Sequence, residues 1–231
     1  MTTPPFPILY EDNHLLVIAK PAGLVAQGAA EGDVSVVTLA RGYLKEKYAK
    51  PGNVFLGVVS RLDAFVSGAM VLARTSKAAA RLTEQFREGA VRKAYWAILE
   101  VIPAPPEAPL EHWLWKDDAA HRMRAAARER PDSQRALLTY RTLGATEHPE
   151  SGAAGSRLEV ELETGRKHQI RVQLAAIGHP IWGDRKYGAA EPFPEGIALH
   201  ARRLELEHPT RREPLRWIAP LPAVWKRYWR E

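Results

Sequence analysis

The sequence predicts an α+β fold built on a mixed, largely antiparallel central β-sheet flanked by helices. Apolar segments of strand length and amphipathic segments of helical period are interspersed, without the regular strand–helix rhythm of a doubly wound fold. Leu158, Val160 and Leu162 alternate with Glu159, Glu161 and Glu163, the period of a half-buried strand. Asp12-Asn13 supplies turn chemistry between two short apolar runs, the signature of a strand doubling back on its neighbour.

Taken in order, residues 8–19 read as two short strands around that turn. Lys20-Pro21-Ala22-Gly23 then breaks the second strand, since Pro cannot donate to a ladder. A helix is expected from Ser35 to about residue 50. Ser35 can cap it, Val36, Leu39, Ala40, Tyr43 and Leu44 recur on one face, and Pro51-Gly52-Asn53 ends it. A second helix runs from Ser76 to Glu88 on the spacing of Ala79, Leu82 and Phe86, with Gly89 as its stop. Residues 94–101 form a strand bearing Tyr95 and Trp96. After the alternating strand, Thr164-Gly165 leads to a third helix with Ile170, Leu174 and Ile177 on one face and Gly178 as its stop. Residues 197–206 and 215–219 are late strands. Residues 103–109, with four prolines, and residues 146–155, rich in Gly, Pro and Ala, read as loops. Neither an internal repeat nor a low-complexity tract appears, and a single domain over residues 1–231 is expected.

Apolar residues make up 45% and charged residues 26% of the chain, ordinary values for a globular protein. The absence of cysteine excludes disulfides, thiolate nucleophiles and Cys-ligated zinc. The eight histidines are scattered without ligand spacing, so no metal is expected. The first residues lack the basic start and apolar core of a secretory signal, and no run approaches the roughly 20 apolar residues of a membrane span. A cytoplasmic protein is expected. Lys and Arg total 33 against 27 Asp and Glu; a net charge of +6 attracts polyanions, although many proteins carry such an excess without binding any.

The informative stretch is residues 57–73. An apolar strand enters, a short polar turn carries Arg61 and Asp63, and Ser67-Gly68 leads into another apolar strand. A carboxylate held between two strands is rigid and reachable. Taken alone, Asp63 is also ordinary turn chemistry, with Arg61 as its surface ion-pair partner.

That stretch has company. Residues 8–12 through Lys20-Pro21-Ala22-Gly23 come first. Ser60-Arg61-Leu62-Asp63 with Ser67-Gly68 follows, then Arg92-Lys93-Ala94-Tyr95. Next is Thr164-Gly165-Arg166-Lys167-His168-Gln169-Ile170-Arg171, continuing to Gly178-His179-Pro180-Ile181 and Gly183-Asp184. Leu199-His200-Ala201 with His208-Pro209 closes the set. In these five places, in this order, the chain resembles the pseudouridine synthases that modify ribosomal and transfer RNA. The resemblance runs from about residue 8 to 222. It departs at Ser60, where the family usually has His, and at Val66, where Thr is usual. The first motif begins almost at once, so the small N-terminal RNA-binding domain of many relatives is not expected.

The resemblance implies the pseudouridine synthase fold with a central RNA-binding cleft, and an isomerase that detaches uracil from its ribose, turns it, and rejoins it through carbon. No cofactor is implied, and the partner is RNA. Asp63 would be the catalytic carboxylate, acting as nucleophile or base toward ribose or ring, both of which its chemistry allows. Such a carboxylate needs a partner to stay ionised out of water. The resemblance names Arg171, with Arg166 and Lys167 as rivals. Tyr95 would stack on the extruded uracil and help remove a proton from it; its ordinary alternative is strand packing. Arg61 would fill the gap left by the flipped base. Arg166, Lys167 and His168 would meet the RNA, their alternative being a solvated basic helix start. The basic run His121-Arg122-Met123-Arg124 with Arg128, Arg130 and Arg135 reads equally as a phosphate-contacting patch or a solvated hairpin. The Trp225-Lys226-Arg227-Tyr228-Trp229-Arg230 run reads as a docked tail before a base-stacking one. A non-catalytic RNA-binding protein on the same scaffold would need neither Asp63 nor its partners. An unrelated hydrolase using Asp63 as base would leave the other four segments unexplained.

Overall fold

The structure is a computed structural model that describes residues 3–28 and 34–229; Met1, Thr2 and Arg230 of the terminal runs lie outside the described residues. It divides into two compact units, residues 1–92 with 201–220, and residues 93–200 with 221–231.

In the first unit, β1 (Ile8–Glu11) and β2 (Leu15–Lys20) form the expected hairpin. The Asp12 carboxylate closes it, accepting from the backbone N–H of His14 and of Leu15, each at 2.7 Å. It also accepts from the Tyr10 hydroxyl at 3.0 Å and lies 2.8 Å from the His208 imidazole. β2 pairs antiparallel with β4 (Ser67–Ala73), and both strands are buried along their whole length. β3 (Gly57–Val58) pairs with β4, and β10 (Leu199–Glu207) pairs antiparallel with β11 (Pro214–Ile218). Gly68 has φ +119°, and a Cβ there would collide with the backbone of Ala201, so the approach of β4 to β10 requires glycine at this point.

Two helices accompany these strands. α1 (Val36–Lys47) starts at the expected cap, Ser35, whose hydroxyl accepts from the Thr38 N–H while the Thr38 hydroxyl accepts from the Ser35 N–H, a reciprocal capping box. α2 (Ser76–Arg87) starts at the expected Ser76 and is capped by Thr75, whose hydroxyl accepts from the Ala78 N–H. Its Ala78 and Leu82 pack into a core with Leu15, Val17, Val71 and Trp217.

The strands of the second unit pair antiparallel in the order β5 (Arg92–Leu99), β9 (Ala154–Leu162), β8 (Gln134–Glu147), β6 (Glu107–Asp117), β7 (Arg122–Ala126). Two long strands here run through what the sequence suggested were loops. β6 begins inside the proline-rich stretch and contains Pro109. Proline is tolerated because β8 pairs with one side of β6 from Glu107 to Leu114, while β7 covers the other only from Trp113 onward. β8 extends to Glu147, shortening the expected second loop to residues 148–153. α3 (Gln169–Ala176) follows β9 as expected, and its six residues 169–174 are all buried. No helix among the described residues is long and apolar enough to cross a membrane.

Burial alone would raise the Asp12 carboxyl, but the hydrogen bonds it accepts outweigh this and hold it at about 2, below its ordinary 3.8. Its stabilisation is complete above pH 4 and is lost as pH falls through about 2. Asp12→Ala should lower the unfolding free energy by roughly 2–3 kcal/mol at neutral pH, and the deficit should shrink as denaturation is repeated toward pH 2.

Candidate active site

Residues 59–66 link β3 to β4 and carry the Arg-Leu-Asp triplet. Leu62 and Val66 are buried, whereas Arg61 and Phe65 are exposed and Asp63 is half-buried. The apolar pair anchors the loop at two points and leaves the polar residues between them at the surface. Asp63 Oδ1 accepts from the Phe65 N–H at 3.1 Å, and the Val66 N–H donates to the Asp63 carbonyl at 3.1 Å. The side chain therefore orders its own turn. Arg61 makes no ion pair among the described residues, so the ordinary surface pairing with Asp63 is not formed.

The Lys20-Pro21-Ala22-Gly23 turn clasps this loop. Lys20 is 1% exposed, and its ammonium donates to the carbonyls of Pro21 at 2.7 Å, Leu24 at 2.8 Å and Ala64 at 3.1 Å. The Gly23 N–H donates to the same Ala64 carbonyl at 2.8 Å, from a left-handed conformation (φ 83°) that favours glycine. Two donors thus converge on the carbonyl of Ala64, the residue that follows Asp63. Burial pushes the Lys20 ammonium down to about 8, and the nearby charge of Asp63 opposes that shift. The sequence marked this turn only as the break after the second strand; its aliphatic neighbours gave no sign that Lys20 is the buried element.

In the second unit, Tyr95 lies on β5 opposite Val160. Burial pushes its hydroxyl up to about 12. Trp96, its neighbour on the opposite face of the strand, stacks on Trp229 at 4.4 Å, and the tail from Ala223 to Trp229 is docked as expected.

α3 starts from a left-handed residue, His168 (φ 54°), and has no side-chain cap there. Buried Gln169 takes over part of that task. Its Oε1 accepts from the Arg166 N–H at 2.9 Å and the Thr164 hydroxyl at 2.8 Å, and its amide donates to the Leu137 carbonyl. Arg166 and Lys167 are exposed, and Arg166 Nε donates to the Arg135 carbonyl. Arg171 is 4% exposed. Its Nε and Nη2 donate to the two oxygens of Asp184 at 2.6 and 2.7 Å, and its guanidinium lies 5.0 Å from the centre of the Tyr187 ring. The Tyr187 hydroxyl lies 2.8 Å from His168 Nδ1. Arg171 and His168 thus join one network through Tyr187 and Asp184, two residues the sequence reading gave no role. Asp184 was visible as part of Gly183-Asp184, but a partner 13 positions away across a turn leaves no periodic signal.

A family model of RNA pseudouridylate synthase matches residues 14–176, which include the Asp63 loop, Tyr95 and the start of α3. The chain belongs to this family. Among family members, a ribosomal large subunit pseudouridine synthase D of Xylella fastidiosa is 38% identical over 94% of the chain and 66% of its own length. An uncharacterised RNA pseudouridine synthase of Bacillus subtilis is 33% identical over 95% of the chain and 70% of its own length. The chain thus spans just under two thirds of the Xylella relative. Among solved structures, human RNA pseudouridylate synthase domain containing 4 superposes with a TM-score of 0.76 at 27% identity, covering 96% of this chain and 92% of that one. The pseudouridine synthase fold expected from the sequence is therefore the fold observed.

The buried cations supply two measurable outcomes. Lys20 binds its proton less tightly folded than unfolded, so between pH 8 and 10.5 the unfolded chain holds more protons and stability rises with pH. Lys20→Met should flatten that rise, which amounts to about 3 kcal/mol at most, in denaturant titrations across this range. Arg171→Ala leaves the Asp184 carboxylate buried and uncompensated, and should cost about 3–5 kcal/mol; adding Asp184→Asn should restore part of the melting temperature.

Proposed function

We propose that the chain is an RNA pseudouridine synthase, an isomerase that converts specific uridines of structured ribosomal or transfer RNA to pseudouridine, with residues 1–231 acting as one catalytic domain. The observation that carries this reading is the Asp63 loop: a half-buried carboxylate on a turn it orders itself, braced by a fully buried ammonium, inside the segment matched by the family model. A binding protein has no use for such a brace under an anion, since a carboxylate repels phosphate.

Asp63 is the catalytic carboxylate in this reading, as nucleophile or base. Tyr95 stacks on the extruded base, its hydroxyl neutral before the base is bound. Arg171 serves as the guanidinium that keeps the catalytic anion charged, and Asp184 orients it. Exposed Arg61 fills the space of the flipped nucleotide, and Arg166, Lys167 and His168 at the head of α3 meet the RNA. The reaction proceeds in the cytoplasm without a cofactor. Relatives named for the ribosomal large subunit support ribosomal RNA as the first substrate to try.

Bulk ribosomal and transfer RNA lacking pseudouridine, incubated with the protein, should acquire it. Asp63→Asn should abolish product while RNA binding stays measurable; product at the parent rate in that variant removes Asp63 from the chemistry.

A further inference from the structure

The β6–β7 hairpin and β8 present two different faces. On one, Leu114 and Ala136 are buried against Val172 of α3, with Met123 and Ala125 packed beside them. The other carries Trp113 and Trp115, both half-exposed, with Arg124 directly opposite Trp115 and Arg135 opposite Trp113. Two large aromatics on the outward face of a sheet are not explained by the core, which lies on the other side.

Trp115 is already half of a stack. The Arg130 guanidinium lies 4.0 Å from the centre of its ring. Arg130 comes from the β7–β8 connection, and its backbone is fixed by a local turn: its N–H donates to the Ser133 hydroxyl at 3.1 Å, and that hydroxyl donates back to the Arg130 carbonyl at 2.6 Å. Asp132, at φ 61°, completes the turn. Arg124 and Arg135 are engaged with Asp117 and Glu111, whereas Arg130 makes no ion pair among the described residues. A guanidinium lying on an indole keeps its in-plane N–H donors and presents its second planar face outward. Ordering a long side chain costs rotamer entropy, and here the turn and the ring have met that cost before any ligand arrives.

We propose that Arg130 and Trp115 form a preordered stacking shelf for an unpaired nucleotide of the RNA substrate, with Arg122 and Arg128 meeting the adjoining phosphates. This rests on RNA being the substrate. A flat, positively charged face flanked by arginines fits a base and its phosphate together, and every base has a π-face to offer it. An acidic peptide would match the charge but leave the planar surface without a partner.

The test is direct binding, separate from turnover, with single-stranded oligouridylate as probe and a fully paired RNA duplex as control. Arg130→Ala should weaken oligouridylate binding about ten-fold and leave duplex binding nearly unchanged. Arg130→Lys keeps the charge and loses the planar face, so it should recover little of the loss. With an RNA substrate, Arg130→Ala should raise KM by a similar factor at unchanged kcat. Oligouridylate binding equal to the parent in Arg130→Ala, or full recovery in Arg130→Lys, would overturn the shelf. If binding depends on Arg130 but no RNA is ever isomerised, the shelf stands and the enzymatic reading falls. If RNA is isomerised with Arg130 irrelevant to binding and KM, the reverse holds.

Discussion

A buried ammonium holds the loop that matters most. Lys20 lies at the end of a fully buried strand, where an unpaired charge would cost several kcal/mol, and three backbone carbonyls surround its Nζ instead. One of them belongs to Ala64, so the cation that would otherwise destabilise β2 fixes the peptide next to Asp63. The positive charge also lies close enough to the Asp63 carboxylate for the two to feel each other. The strand, the Lys-Pro-Ala-Gly turn and the Asp63 loop are consequently one mechanical element. Changing the turn moves the acid.

The second unit follows the same principle with a different cation. Arg171 sits on a helix with no solvent-facing turn among residues 169–174, and its charge is matched by an equally buried carboxylate in two parallel hydrogen bonds. Because both oxygens of Asp184 are used, the guanidinium plane is set, and Tyr187 lies against it. A buried pair of this kind is weak evidence for stability and better evidence that orientation is needed. Hydrophobic residues would fill the same space at least as well.

Much of this was legible beforehand, for physical reasons that differ from element to element. Ser35 announces α1 because a cap is a local contract between residues three apart. β9 is legible because Glu and apolar residues alternate cleanly. β6 and β8 escaped because their stretch mixes prolines with dense charge, although Ala136, Leu138 and Tyr140 do alternate inward on β8. The order of motifs pointed to Asp63, Tyr95 and Arg171, but the residues that hold them were hidden. Lys20 looks like a strand terminus, and the link from Arg171 to Asp184 spans a turn whose geometry no spacing encodes. Supporting contacts are long-range, and a single sequence records mainly short-range ones.

The same reasoning bears on Val66, the departure from the Thr of the family pattern that the sequence resembles. In the loop, position 66 contributes two things: an N–H donated to the Asp63 carbonyl, and a side chain buried to 2% exposure that anchors the loop's exit into β4. The first comes from the backbone and is indifferent to the side chain. The second is served as well by an isopropyl group as by a hydroxyethyl group of the same shape, and without a hydroxyl to satisfy. Val66 therefore preserves the turn that presents Asp63, and the departure from the family pattern leaves the geometry of that loop intact.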